Sequence, residues 1–135
     1  MTRKKIYVFG IKGYIGYHLK KQLNQEKFKI ISISNTFYDK SYKLLLKKSS
    51  DKDICINLSS ITGLNCNIDI NKTKFINIDL NKEICDSRIE KLIFTSTASL
   101  YKISKYLCNE ESALNPTSLY TETKLIAENI IKSAN

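Results

Sequence analysis

Apolar residues gather in four short runs, "KIYVFG" (5–10), "FKIISIS" (28–34), "DICINLS" (53–59) and "KLIFTST" (91–97). They are nearly continuous in Ile, Val, Leu and Phe rather than alternating with charges, which is the pattern of strands buried on both faces. Between them lie stretches of helical patterning: "YIGYHLKKQLNQ" (14–25), "SYKLLLKK" (41–48), a segment around 69–86, and finally 118–133. Strand alternating with helix predicts a parallel sheet with right-handed crossovers and helices on both faces, a doubly wound α/β domain. There is no internal repeat, low-complexity tract or Pro/Gly/Ser-rich linker. A chain of 135 residues holds one domain with a modest core rather than two.

Composition adds limits. With 42% apolar and 26% charged residues the chain reads as globular. The N-terminus "MTRKKIYVFG" is basic and then apolar, but Lys12 interrupts it too soon for a signal-peptide core, and no stretch approaches a membrane span. The expected address is the cytoplasm. A net charge of +9 invites a nucleic-acid reading. The basic residues are dispersed, however, in runs of two or three, and only two of the 22 are Arg. Lys, Ile and Asn together make up 52 of the 135 residues, which looks like the bias of an AT-rich genome. A solvated lysine surface is the favoured reading, and nucleic acid an unlikely partner.

Cys55, Cys66, Cys85 and Cys108 are separated by 11, 19 and 23 positions, and His18 is the only histidine. That is poor metal-ligand spacing. No metal is assigned, and the thiols are expected to be small buried apolar groups.

"FGIKGYIG" (9–16) holds three of the chain's four glycines and stands between a predicted strand and a predicted helix. Gly10 permits a tight turn off the strand, Gly13 lets backbone approach a pyrophosphate, and Gly16 lets helix and strand pack closely. The helix N-terminus then offers unpaired N–H groups to phosphates. The bland alternative is a glycine-rich turn with no ligand; the strand-turn-helix context favours binding.

The spacing GxxGxxG resembles that of the extended short-chain dehydrogenase/reductase family, of NAD-dependent epimerase/dehydratase type, which contains the sugar-nucleotide epimerases, dehydratases and reductases. The resemblance continues in order. "INLSSITG" (56–63) is similar to the family's fourth strand and cofactor-lining turn, and Asn77 in "FINIDLNKEI" matches its helix asparagine. "LIFTSTASLY" (92–101) resembles the fifth strand with its catalytic Ser or Thr, and "NPTSLYTETKLIAE" (115–128) the segment of proline, tyrosine and lysine. The resemblance implies a Rossmann-like fold binding NAD or NADP through Gly10, Lys12, Gly13, Tyr14, Ile15, Gly16, Ser34, Asn35, Leu58, Ser59, Ser60 and Lys124. Where an acidic residue at the end of the second strand would favour NAD, Ser34 or Asn35 stands, and Lys12 would tolerate a 2′-phosphate. The choice between NAD and NADP stays open, with Asp39 an alternative acidic position.

A tyrosine four residues before a lysine proves little in a chain with 8 Tyr and 20 Lys, where about one such pair is expected by chance. Three occur: Tyr17/Lys21, Tyr101/Lys105 and Tyr120/Lys124. Only the last follows a Ser/Thr-rich strand end at the family's distance, with Pro116 and a Thr117/Ser118 helix start before it. On a helix this spacing sets both side chains on one face, with Leu119, Thr123, Ile126, Ala127 and Ile130 as a separate buried stripe. A free phenol is a poor base at neutral pH, and lowering a phenolic pKa by three units takes about 4 kcal/mol. Lys124 and an oxidised nicotinamide would share that task. The resemblance selects Thr97 as the hydroxyl that hydrogen-bonds the substrate oxygen while Tyr120 moves the proton; the bland reading of Thr97 is a strand-end hydroxyl satisfying backbone.

The resemblance covers residues 4–133 but only the N-terminal part of a family member. The C-terminal region that binds the nucleotide-sugar is expected to be absent, the sheet to stop after the strand at 91–97, and the last helix to end it. Such a chain is expected to be a homo-oligomer or to take the missing half from a partner chain. Three readings follow: an epimerase, dehydratase or reductase core acting through Thr97, Tyr120 and Lys124; a non-catalytic cofactor-binding module or decayed fragment; and, least favoured, a basic nucleic-acid-binding protein.

Overall fold

The computed structural model describes residues 3–23, 26–105 and 107–134. Four strands, β1 (Lys4–Phe9), β2 (Phe28–Ile33), β3 (Ile54–Asn57) and β4 (Lys91–Phe94), form one parallel sheet in the order β2-β1-β3-β4. All four predicted strands are present and parallel. The last ends at Phe94, so the "TST" that follows is loop. The segment from Asn35 to Asp53 contributes α2 (Tyr42–Lys47) and no strand. The runs likened to a fourth and fifth strand are thus the third and fourth of this sheet.

Alternation along β1 explains why its apolar run is unbroken. Ile6 and Val8 point to one face, where Ile11, Ile56 and the inner side of α1 (Tyr14–Gln22) cover them. Tyr7 and Phe9 point to the other, against Ile33, Cys55, Tyr42, Leu46, Leu80 and Ile84. Each side chain finds a core, so neither face tolerates charge. Asn24 and Gln25, at the end of the predicted first helix, lie outside the described residues.

The second layer is one long helical run broken by a change of pitch. It comprises α3 (Ile70–Lys74), a π turn (Phe75–Asp79) and α4 (Leu80–Cys85). Asp69 starts it, its carboxylate accepting from the Lys72 N–H at 2.9 Å. The π turn places Asn77 inward, fully enclosed. Tyr42 of α2 joins this layer by donating its hydroxyl to Glu83 Oε2 at 2.5 Å, and Lys43 pairs with Glu83 Oε1 at 2.8 Å.

The last helix, α5 (Leu119–Ser133), begins in a capping box: the Thr121 N–H donates to Ser118 Oγ and the Ser118 N–H to Thr121 Oγ1. Its inward face corrects the predicted stripe. Thr121, Thr123, Lys124 and Ala127 are buried, whereas Ile126 is 45% exposed and Leu119 and Ile130 are half-buried. Thr123 and Ala127 are thus inside as expected; the helix packs on α4 and the π turn, where Asn77 donates to Thr123 Oγ1, and the amphipathic Lys124 is enclosed while Ile126 is not. Among the described residues no strand pairs with the outer edge of β4. No helix among them is long and apolar enough to cross a membrane.

Candidate functional site

The C-terminal ends of the parallel strands bring three of the predicted segments together. Gly10 leaves β1 with φ +78°, and a Cβ there would stand 2.9 Å from Leu58 C and Ser59 N. The turn therefore lies directly on the loop after β3, and only glycine lets the two backbones approach. Gly16 sits under the same turn: a Cβ on it would come within 2.5 Å of Ile11 Cα and 2.6 Å of the Gly10 carbonyl oxygen. Gly13 is the N-cap of α1, carries no capping side chain, and donates its N–H to the Gly10 carbonyl at 3.0 Å. The first turn of α1 thus opens outward beside exposed Lys12, Tyr14 and Ile15.

Leu58, Ser59 and Ser60 form the opposite wall. The Ser59 N–H donates to Asn57 Oδ1 at 3.0 Å. Asn77 clasps Ile61 at both ends, accepting from its N–H at 2.9 Å and donating to its carbonyl at 3.0 Å. Beyond Ser60 opens a cleft of about 530 Å³ that is also lined by Tyr38, Thr62, Ile68, Asp69 and Lys72. The Lys72 ammonium lies 5.0 Å from the Tyr38 ring centroid.

Ser34 and Asn35 are exposed at the end of β2, Asn35 with φ 59°. The Asn35 carbonyl accepts from the Tyr38 and Asp39 N–H groups, which closes the turn leading to α2. Asp39 uses Oδ1 to accept from the Ser41 N–H at 2.8 Å, and that bond is the main cause holding its carboxyl below the ordinary value.

On the other flank, Lys124 is 1% exposed. Its ammonium donates to the Thr95 carbonyl at 2.5 Å and lies 4.2 Å from the Phe94 ring centroid. Burial lowers its pKa to about 8, against the opposing pull of Glu128 one turn on. Thr97 caps the short 3₁₀ turn Ala98–Leu100, its Oγ1 accepting from the Ser99 N–H at 3.2 Å. That is the backbone-satisfying role, and it leaves the hydroxyl proton free to donate elsewhere. Tyr120 is half-buried, and its carbonyl accepts from Thr123 Oγ1 at 2.9 Å.

The other two Tyr/Lys pairs lie outside the helix that carries Lys124. Lys21 lies over the Tyr17 ring at 4.2 Å on the outer side of α1. Tyr101 forms an isolated bridge with Leu114 in an irregular segment. Among the thiols, Cys55 and Cys66 are buried as expected, Cys85 is half-buried, and Cys108 is exposed, a correction for the last. Among the described residues no three His, Cys, Asp or Glu side chains gather as for a metal ion. Sequence reading missed Asn57 and Asn81, both fully buried beside Asn77. The i, i+4 spacing of Asn77 and Asn81 on a helix was the available signal.

The sequence matches the model of the NAD dependent epimerase/dehydratase family over residues 6–135. No curated protein matches it. Among solved structures, a dTDP-4-dehydrorhamnose reductase from Bacillus anthracis in complex with NADP superimposes with TM-score 0.82 at 16% identity, over 100% of this chain and 51% of that one. A dTDP-4-dehydrorhamnose reductase from Clostridium acetobutylicum gives 0.81 at 24% identity, over 97% and 50%. A UDP-glucuronic acid 4-epimerase from Bacillus cereus in complex with NAD gives 0.80 at 20% identity, over 96% and 52%. At these identities the likeness is one of fold, and this chain spans about half the length of those it matches.

Proposed function

The chain belongs to the NAD dependent epimerase/dehydratase family, and from that premise we propose that it binds NAD or NADP as the cofactor-holding part of a sugar-nucleotide epimerase, dehydratase or reductase. The observation that carries this reading is the contact of Gly10 with Leu58 and Ser59 beneath an uncapped α1 N-terminus. It builds a backbone-lined floor beside the first turn of α1, whose N–H groups, without a capping side chain, would be open to an anion. Gly13, Tyr14, Ile15 and Gly16 would hold the diphosphate by backbone, Lys12 would add charge, and Leu58, Ser59 and Ser60 would line the opposite side. Without a carboxylate at Ser34 or Asn35, the pocket admits a 2′-hydroxyl or a 2′-phosphate, and both cofactors remain candidates.

The nicotinamide, when bound, accepts or supplies hydride. The chain's own part would be to place a hydroxyl at Thr97, a phenol at Tyr120 and an ammonium at Lys124 around the reacting carbon. With its pKa near 8, Lys124 carries its proton at neutral pH and would present that cation one helical turn from Tyr120. Residues that select the sugar nucleotide would lie outside 1–135, on further polypeptide or a partner. A non-catalytic cofactor-binding module is the second reading, favoured by the engagement of Thr97 Oγ1 with the Ser99 N–H and of Lys124 with the Thr95 carbonyl.

Titration of NADH and NADPH, read by nucleotide fluorescence, tests the proposal. Saturable enhancement that Gly13→Asp weakens about tenfold or more is expected, because a carboxylate would then face the phosphates. Binding of neither nucleotide overturns it. Tyr120→Phe separates the two readings: it should abolish turnover while sparing cofactor affinity.

A further inference from the structure

The three buried asparagines belong to a closed ring of hydrogen bonds that crosses four elements. Asn57, the last residue of β3, donates Nδ2 to Asn81 Oδ1 at 2.7 Å. Asn81, on α4, donates Nδ2 to the Asn77 carbonyl at 3.0 Å. Asn77, in the π turn, donates Nδ2 to Thr123 Oγ1 at 3.0 Å. The next residue of α5, Lys124, donates to the Thr95 carbonyl, and the Thr95 N–H and hydroxyl both donate back to the Asn57 carbonyl, at 3.3 and 3.2 Å. Asn57 and Asn77 also hold the Ser59 and Ile61 amides.

We propose that Asn81, acting with Asn57, is a positioning residue that locks the Ser59–Ile61 loop and the start of α5 into one rigid unit, and so sets where Lys124 stands relative to that loop. The proposal rests on the reading of these two segments as walls of a cofactor site. An amide is the one compact side chain that both donates and accepts through separate atoms, and Asn81 uses both. A site needing only volume would take leucine, which fills the same space without polar atoms to satisfy. Among the described residues every buried side-chain nitrogen and oxygen has a partner. The ring is therefore complete, and a complete buried network fixes one arrangement of its members.

Two variants separate positioning from packing. Asn81→Leu orphans the Asn57 Nδ2 group; N57L/N81L removes both partners of that bond but also frees the Ser59 N–H, so it should recover part of the lost thermal stability. Amide hydrogen exchange on the protein without nucleotide is expected to rise in Asn81→Leu both at Ser59–Ile61 and in the first two turns of α5. In N57L/N81L, affinity for NADH or NADPH should stay about tenfold below wild type although the melting temperature has partly recovered. Affinity that recovers together with melting temperature would make the asparagines mere filling and overturn the proposal. Faster exchange confined to the loop, with α5 unchanged, overturns it as well. If the wild type binds neither nucleotide, the cofactor reading falls by itself, and the exchange pattern alone decides the coupling.

Discussion

Lys124 reaches across from α5 to the Thr95 carbonyl beyond the end of β4, at 2.5 Å, with the Phe94 ring against its ammonium. One lysine thus ties the last helix to the last strand, and its charge is carried into an enclosed site. The pairing makes the helix position sensitive to the protonation of a single group.

Stability should therefore depend on pH through Lys124. The folded protein loses this proton near pH 8, and the unfolded chain near 10.5. Between those values the unfolded state binds more protons, so the Lys124 contribution to stability rises with pH; below about 8 both states are charged and the cost of burial is present in full. Lys124→Met should abolish that rise. Urea unfolding of both proteins from pH 7 to 10.5 should show a difference changing by on the order of 3 kcal/mol. A pH-independent difference would contradict the lowered value.

Two glycines should respond unequally to alanine. At Gly16 the added methyl meets the backbone of Ile11 and Gly10 at 2.5–2.6 Å, and backbone cannot rotate aside. A loss of about 2 kcal/mol or more is expected in denaturant titration. Gly63 has φ +56° but nothing within 4 Å, so Gly63→Ala should cost only the left-handed strain, about 1 kcal/mol. Equal losses would mean that close approach at the turn is not the reason for Gly16.

The Tyr42–Glu83 bond should matter more than the ion pair beside it. Tyr42 is 1% exposed, and burial, then Glu83, raise its phenolic pKa far above the ordinary value, so the bond is that of a neutral donor to a carboxylate. Tyr42→Phe should cost about 1–2 kcal/mol. Lys43→Ala removes a solvent-screened pair and should cost less than about 0.5 kcal/mol. The reverse order in thermal unfolding would refute this ranking.

Ser118→Ala should cost about 1 kcal/mol by opening the capping box of α5. Ser118→Asp should restore most of it, since a carboxylate also accepts from the Thr121 N–H and suits the helix dipole. Helical signal and unfolding midpoint measured together would check both.

The glycine turn was legible because its residues answer to backbone shape, which a short stretch carries within itself. Gly10 needs a positive φ and Gly16 a missing side chain, whatever stands elsewhere in the chain. The Tyr120/Lys124 helix was legible from Pro116 and Ser118 before it. Its inward face was legible in part, through Thr123 and Ala127. Helical spacing puts Ile126 in the core and Lys124 on another face, yet Ile126 faces out and Lys124 is enclosed, because α5 meets the π turn through the Asn77–Thr123 bond. The resemblance gives Thr97 a substrate role and the residues alone a backbone-satisfying one; the capping of Ala98–Leu100 is of the second kind, and which amide it holds follows from the strand's end at Phe94.

The order of apolar runs, the parallel α/β class, the strand-turn-helix with three glycines and the capped last helix are written in the sequence, since each depends on neighbours within a few residues. The tertiary structure alone decided that Asn57, Asn77 and Asn81 meet, that Lys124 turns to Thr95, and that Gly10 lies on Ser59. Those contacts join residues 24 to 49 positions apart or close a ring through several elements. A polar side chain in a sequence declares only that it needs a partner. Which partner it finds is settled when the sheet and helices pack and water leaves the space between them.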